Sequence, residues 1–192
     1  MSIVAKTLDP VFADSGIGLV PSQTFAACSP LDLICVPDGI DIPAVLSDAE
    51  TIDFVRRQAE AAKYVTSVCT GAFVLGAAGL LKGKRATTHW AYTDLLPLIG
   101  ATHEKARVVR DGNVFTGGGV TAGIDFGLTV LAEVAGPEVA QRIQLAVEYG
   151  PAPPFQSGNP GSAPAEVLDA ITPIYAKRVG DYRAAIERAM AA

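Results

Sequence analysis

The stretch YVTSVCTGAFVLGAAGLL, residues 64–81, joins a run of β-forming residues to an apolar run rich in glycine and alanine. The first run predicts a strand that ends at Cys69, and the second predicts a helix over residues 70–81. Because the residues after Cys69 are small, the helix is expected to pass close to the strand through a tight turn. Cys69 is therefore either a buried core thiol at a strand end or a nucleophile that the turn presents.

Strand and helix patterns alternate along much of the chain. The run DLICVP, residues 32–37, is bounded by turn formers and is typical of a central parallel strand buried on both faces. We expect Cys35, inside this run, and Cys28, in the loop before it, to be core residues. An amphipathic helix is predicted over residues 48–63. The alternation predicts an α/β layer fold with a mainly parallel sheet.

The length and the local composition predict the domain organisation. The 192 residues suffice for one domain with a sizeable core. We expect a single domain over residues 1–192, in which residues 150–164 form an irregular arm rich in proline and glycine and residues 165–191 form an amphipathic helix. An irregular arm of this length suggests a contact with a second subunit.

Charge and cysteine content argue against several classes of protein. The net charge of −5 argues against nucleic acid or an anionic membrane surface as the partner. No apolar run reaches the ~18 residues of a membrane span, and the N-terminus lacks a signal pattern, so we expect a cytoplasmic protein. Three cysteines without a C-x-x-C pair or a suitably spaced histidine predict neither a disulfide framework nor a metal site. Gly117-Gly118-Gly119 does not fit phosphate-loop spacing, so no cofactor is expected.

The candidate site is centred on Cys69. The string Ser67-Val68-Cys69-Thr70-Gly71 has the shape of the G-x-S-x-G nucleophile elbow, with cysteine in the middle. A thiol at the start of a helix is expected to have its thiolate stabilised by the helix dipole and free backbone N–H groups. His89 ends the predicted strand RATTH and is expected at the same carboxyl edge of the sheet. His103 lies in a polar stretch and is expected at the surface.

Two longer stretches carry a resemblance to a known family. The chain resembles the ThiJ/PfpI superfamily in two stretches. They are residues 65–92, VTSVCTGAFVLGAAGLLKGKRATTHWAY, and residues 107–128, RVVRDGNVFTGGGVTAGIDFGL. The segment IQLAVEYGPAPPF, residues 143–155, is similar to its isonitrile hydratase branch. The resemblance extends over nearly the whole chain from about Ile3. It implies a three-layer sandwich of the glutamine-amidotransferase-like, flavodoxin-like type.

The resemblance also implies an activity. Enzymes of this branch are cofactor-free homodimers that add water to an isonitrile and release an N-substituted formamide, which makes them lyases. Cys69 is then expected to attack the terminal isonitrile carbon and form a thioimidate, which water converts into the formamide. Thr70 is expected to bond the sulfur or orient the water, and the N–H groups of Gly39 and Thr70 to stabilise developing charge. Gly71 and His89 are expected beside the substrate.

The chain departs from the family pattern in two places. The family begins with a strand and an acidic residue that touches the cysteine sulfur, whereas this sequence begins at what corresponds to the second strand. We therefore expect the first strand and that acid to be missing. The loop that reads P-G-G in the family reads Pro37-Asp38-Gly39 here. Asp38 either hinders the backbone approach expected there or places a new acidic group near the thiol.

Two other functions stay open at this point. One is a deglycase or glyoxalase-like activity on 2-oxoaldehydes, in which Cys69 works with His89. The other is a non-enzymatic redox- or ligand-sensing domain, like those fused to transcription regulators in the superfamily, with oxidation of Cys69 as the signal. Three results separate these functions. Turnover of an isonitrile indicates the hydratase, turnover of methylglyoxal indicates the deglycase or glyoxalase, and a stable sulfinic acid without turnover indicates the sensor.

Overall fold

The structure is a computed structural model that describes residues 1–13 and 15–191. Most of the strands in this part of the chain are short. They are β1 (Val4–Ala5), β2 (Val11–Phe12), β3 (Gly18–Leu19), β4 (Gln23–Thr24), β5 (Leu33–Val36), β6 (Tyr64–Val68), β7 (Arg85–Ala86), β8 (Thr102–His103), β9 (Val108–Asp111) and β10 (Val114–Gly117).

Six α-helices and one long 3₁₀ helix accompany these strands. They are α1 (Ile42–Val45), α2 (Ala49–Ala61), α3 (Gly71–Ala77), the 3₁₀ helix (Trp90–Ile99), α4 (Ala122–Ala135), α5 (Pro137–Ala146) and α6 (Ala165–Ala191). The helix predicted over residues 70–81 ends early, at Ala77, because Gly79 takes a left-handed backbone with a φ of 81° and turns the chain. Within the described residues, no helix is both long enough and apolar enough to cross a bilayer.

The central sheet has four strands in the order β5-β6-β10-β9. β5, β6 and β10 run parallel, and β9 pairs antiparallel with β10 through a tight turn at Gly112. The register aligns Ile34, Val65 and Val114 in one row across three strands, and all three are buried. The Asp111-Gly112 pair is typical of a tight hairpin turn, and here it joins these two antiparallel strands.

Helices cover both faces of this sheet. On one face, α2, α3, the 3₁₀ helix and α6 enclose the larger apolar core, in which Phe73, Leu75 and Leu95 have no exposed surface. On the other face, α4 packs Phe126 and Val130 against Phe115, and α5 packs on α4. The predicted α/β three-layer sandwich with a mainly parallel sheet is therefore confirmed, and burial of each large apolar side chain contributes about 1.5–3 kcal/mol.

β5 is an edge strand of the four-stranded sheet, so the prediction that it is a central strand buried on both faces is wrong. Its residue Cys35 aligns with Thr66 and Phe115, on the face that α4 covers. α4 packs over β6, β9 and β10 and does not cover the thiol of Cys35 on the edge strand. Cys35 is therefore exposed, contrary to the expectation of a core residue. Cys28 is half-buried at the border of the larger core.

Candidate active site

Cys69 occupies the turn between β6 and α3 and adopts a left-handed backbone with a φ of 56°. This conformation is uncommon for a residue with a Cβ atom and costs on the order of 1 kcal/mol or more. Two hydrogen bonds hold it: the Cys69 N–H donates to the Gly117 carbonyl oxygen at 2.9 Å, and the Thr88 hydroxyl donates to the Cys69 carbonyl oxygen at 2.6 Å. The tight strand–turn–helix geometry predicted for this stretch is confirmed, and Cys69 is only 4% exposed.

Gly71 lets the start of α3 approach the loop that follows β5. A Cβ atom at Gly71 would lie 2.3 Å from the Val36 carbonyl oxygen and 2.6 Å from the Pro37 carbonyl oxygen. Both oxygens belong to the backbone and have little freedom to move away. Gly71 therefore has a packing role: it brings the loop that carries Asp38 next to the cysteine turn. Its predicted role beside the substrate stays a prediction.

Asp38 acts directly on the thiol of Cys69. Burial raises the pKa of the Cys69 thiol to about 12, and Asp38 contributes to the rise through its negative charge and through a hydrogen bond to the thiol. The backbone N–H and the hydroxyl of Thr70 act in the opposite sense and lower the pKa. The expectation of a stabilised thiolate is therefore wrong, because burial and Asp38 outweigh the donors at the start of a seven-residue helix. For Asp38, this effect on the pKa of Cys69 favours the second of its two predicted roles, an acidic group near the thiol.

His89 presents an N–H donor to the site and not a base. Its Nδ1 accepts a hydrogen bond from the Ala91 N–H at 3.2 Å. Burial lowers the pKa of the imidazole, and the charge of Asp38 opposes this only in part, so the ring is neutral near pH 7. A neutral imidazole whose Nδ1 is an acceptor carries its proton on Nε2. The free nitrogen of His89 is therefore a hydrogen-bond donor.

Tyr182, on α6, is a site residue that none of the sequence motifs revealed. Its hydroxyl donates to the Gly39 carbonyl oxygen at 2.9 Å and lies 3.3 Å from the Thr70 hydroxyl oxygen. Tyr182 is 4% exposed, and burial raises the pKa of its phenol to about 12, so it keeps its proton at neutral pH. Tyr182 thus links the loop that carries Asp38 to the turn that carries Cys69.

Aromatic rings form a wall beside this link. The ring centroids of Tyr92 and Tyr182 lie 4.6 Å apart, and those of His89 and Tyr175 lie 5.2 Å apart. These contacts pack α6 against the 3₁₀ helix and make the C-terminal helix a part of the site. The spacing of seven residues between Tyr175 and Tyr182, which puts both on one face of a helix, is a signal that the sequence offers for this wall.

The structure places the predicted site residues at one end of the parallel strands. This group comprises Asp38, Gly39, Cys69, Thr70, Gly71 and His89. His103 is exposed in β8, as predicted. The Gly39 carbonyl is bound by Tyr182, while the charge-stabilising role of the Gly39 N–H stays a prediction. Across residues 1–13 and 15–191, no three His, Cys, Asp or Glu side chains are grouped so that they could hold one metal ion.

Comparison with known proteins places this site in a family context. Residues 1–133 match the model of the DJ-1/PfpI family. The isonitrile hydratase of Pseudomonas putida is 59% identical over 167 residues, which is 87% of this chain and 73% of that protein. The HTH-type transcriptional regulator CdhR of Pseudomonas aeruginosa is 29% identical over 163 residues and is matched over 48% of its length.

A solved structure has the same fold. The crystal structure of a ThiJ/PfpI family protein from Pseudomonas syringae superimposes with a TM-score of 0.93 at 46% sequence identity, over 96% of this chain and 77% of that one. The chain thus spans about three quarters of the length of this protein and of the Pseudomonas putida relative. The superposition covers 96% of this chain, so the two folds agree over almost its entire length.

Proposed function

Because the chain belongs to the DJ-1/PfpI family, we propose that it is a cysteine-dependent isonitrile hydratase, which converts an isonitrile and water into an N-substituted formamide. The observation that carries this proposal is Cys69 in its left-handed turn, with Asp38 and Thr70 both acting on its sulfur. The relative named isonitrile hydratase, at 59% identity, supports the same substrate class.

The first step joins the thiol to the terminal carbon of R–N≡C. That carbon must gain both a nucleophile and a proton, and a protonated thiol beside a carboxylate supplies both. Asp38 takes the proton from the Cys69 sulfur and passes it to the isonitrile carbon as the C–S bond forms. The product is the thioimidate R–N=CH–S–Cys69. The backbone N–H and the hydroxyl of Thr70 stabilise the negative charge that develops on the sulfur.

The second step adds water to the same carbon. Attack of water on the C=N bond gives R–NH–CH(OH)–S–Cys69, with one water proton ending on the nitrogen. The C–S bond then breaks as the hydroxyl proton leaves, which forms the formyl group of R–NH–CHO, and the sulfur regains a proton. In this proposal the His89 Nε2–H donates a hydrogen bond to the substrate during this step. The sum is R–NC plus water to R–NH–CHO, and the protein is unchanged.

The direct test is turnover of a simple alkyl isonitrile followed by proton NMR. We expect one formamide, recognised by its formyl proton, for each isonitrile consumed. Formamide production no faster than in buffer alone would contradict the proposal. Methylglyoxal serves as the comparison substrate in the same assay.

Asp38→Asn is expected to change thiol reactivity and turnover in opposite directions. Asp38 raises the pKa of Cys69, so its neutralisation lowers that pKa and speeds alkylation of Cys69 by iodoacetamide about tenfold at pH 8. In the wild-type protein the alkylation rate should rise about tenfold per pH unit from pH 7 to 10, without a plateau, because the thiol pKa is about 12. Isonitrile hydration should nevertheless fall by ~100-fold, since the proton carrier is lost.

Asp41→Asn is the matched control in the same loop, because Asp41 is exposed and does not contribute to the shift in the pKa of Cys69. It should leave both rates within about twofold of wild type. Peptide mass spectrometry separates alkylation of Cys69 from that of the exposed Cys35. A plateau in the wild-type rate below pH 9, or equal effects of Asp38→Asn and Asp41→Asn, would contradict the role given to Asp38.

Tyr182→Phe is expected to lower kcat about tenfold with little change in KM. The substitution removes the donor to the Gly39 carbonyl and the neighbour of the Thr70 hydroxyl, so both groups lose their fixed positions. The loss of one buried hydrogen bond also lowers the free energy of unfolding by about 1 kcal/mol. Steady-state kinetics and urea unfolding measure the two effects. Tyr175→Phe is the control on the same helix, and a similar fall in kcat for both variants would contradict the specific role of the Tyr182 hydroxyl.

The geometry favours hydration over the two alternative functions. A deglycase that uses His89 as its base needs a free lone pair on the imidazole, but the Nδ1 lone pair accepts from the Ala91 N–H and Nε2 carries the proton. A peroxide sensor needs a thiolate that oxidises readily, and a buried thiol with a pKa of about 12 is mostly protonated. Both alternatives remain outcomes of the assays above.

The small-molecule substrate is the partner that this proposal requires. We also propose a homodimer, as the family resemblance implies. The exposed Leu145 on α5 and the exposed Phe155 in the arm over residues 150–164 are apolar side chains suited to such a contact. The cytoplasmic location stays a prediction.

A further inference from the structure

A cavity of about 530 Å³ opens beside His89. Its walls come from four parts of the chain: residues 87–90 and 93, residues 103 and 105–107, residues 118–122, and residues 158–161 of the irregular arm. Its volume lies in the range of sites that bind small molecules. The exposed arm segment contributes four wall residues, so the cavity depends on the arm lying where it does.

The lining of this cavity is cationic. It includes Lys105 and Arg107, and none of its lining residues is an aspartate or a glutamate. Arg107 forms an ion pair with Asp125, which neutralises its charge. Within the described part of the chain, no carboxylate lies within 4.0 Å of the Lys105 ammonium. This ammonium lies against Gly161, where a Cβ atom would be 3.1 Å from the Lys105 Nζ. An uncompensated cation in a concave site attracts anions.

The cavity adjoins the cysteine turn through two consecutive residues. Thr88 lines the cavity and donates its hydroxyl proton to the Cys69 carbonyl oxygen at 2.6 Å. His89 also lines the cavity and carries its proton on Nε2, because the Ala91 N–H occupies Nδ1. Asp38 influences the charge states of both His89 and Cys69. Through Thr88 the wall of the cavity is therefore bonded to the backbone of the cysteine turn.

We propose that the cavity holds the substituent of the isonitrile, and that Lys105 binds a carboxylate on that substituent. The preferred substrates are then isonitriles that carry a carboxylate a few bonds from the reacting carbon. This assignment rests on the proposed hydratase function for its substrate class, while the cavity and its charge do not depend on that function. Lys105 is a specificity residue, since it acts on the substituent and not on the reacting atoms.

Binding to a catalytically inactive protein tests the assignment without turnover. The probes are N-formylated amino acids with one to four methylene groups between nitrogen and carboxylate, which are the products of carboxylate-bearing isonitriles, and their primary amides as uncharged counterparts. Titration calorimetry of Cys69→Ala at low salt should give at least one carboxylate that binds about tenfold more tightly than its amide. Lys105→Met should abolish this preference.

Lys63→Met is the matched control, because Lys63 is an exposed lysine that precedes β6 and lies outside the cavity lining. It should keep the full preference for the carboxylate. Equal binding of acid and amide at every chain length would overturn the assignment even if isonitriles are hydrated. A preserved preference in Lys105→Met would do the same. Carboxylate-selective binding without formamide production in the turnover assay would instead remove the hydratase function and leave the anion site standing.

Discussion

Cys69→Ala is expected to lower the rate of formamide production by about 10³-fold or more. Alanine has no atom that can form the thioimidate, so the route through a covalent intermediate is lost entirely. The structural cost should be small, because the left-handed backbone at Cys69 is equally uncommon for cysteine and alanine and only one buried sulfur atom is removed. Steady-state rates measured by the formyl proton signal give the comparison.

Cys35→Ala is the control for this result. It makes the same change at an exposed cysteine on the edge strand β5, where the side chain contributes little to the core. Its rate should stay within about twofold of wild type. If Cys69→Ala retained more than a tenth of the wild-type rate, Cys69 would not be the nucleophile.

Gly71→Ala is expected to lower the free energy of unfolding by about 3 kcal/mol or more. The new Cβ atom would lie 2.3 Å from the Val36 carbonyl oxygen and 2.6 Å from the Pro37 carbonyl oxygen, far inside a normal contact distance. Relief requires α3 and the loop after β5 to move apart, which also carries Asp38 away from Cys69. Activity should therefore fall together with stability.

Gly127→Ala is the matched control within α4. No atom lies within 4 Å of a Cβ atom at Gly127, and its backbone is helical. The substitution should raise the free energy of unfolding by up to about 1 kcal/mol, since alanine favours helix over glycine. Urea unfolding of both variants checks the pair: equal effects at Gly71 and Gly127 would mean that the close approach seen at Gly71 is not needed for stability.

The cysteine turn could be predicted from sequence because its causes are local. Small residues after Cys69, and Gly71 in particular, are what a close strand–helix approach requires, and the left-handed φ of 56° follows from that turn. The layer architecture could be predicted for a similar reason, since alternating strand and helix patterns are properties of short windows.

The edge position of β5 could not be predicted in the same way. An apolar run predicts burial, but whether a strand has one neighbour or two depends on the whole sheet. Cys35 is exposed because β5 lies at the edge and α4 packs over β6, β9 and β10 instead.

The electrostatics of the thiol depend on residues far apart in sequence. Asp38 precedes Cys69 by 31 positions, and Tyr182 follows Thr70 by 112. The helix start by itself predicts a lowered pKa for Cys69, whereas burial and the distant Asp38 together raise it. Short motifs identify the nucleophile, and only tertiary contacts decide its protonation state.

The central claim, a thioimidate on Cys69, can be tested by trapping it. Wild-type protein is mixed with an alkyl isonitrile, quenched with cold acid at successive times during turnover, and digested with pepsin at low pH for peptide mass spectrometry. We predict an added mass of one isonitrile, the mass of the thioimidate, on the peptide that contains Cys69, and none on the peptides with Cys28 or Cys35. Steady formamide production with no adduct on Cys69, at any time of quenching, would contradict the account.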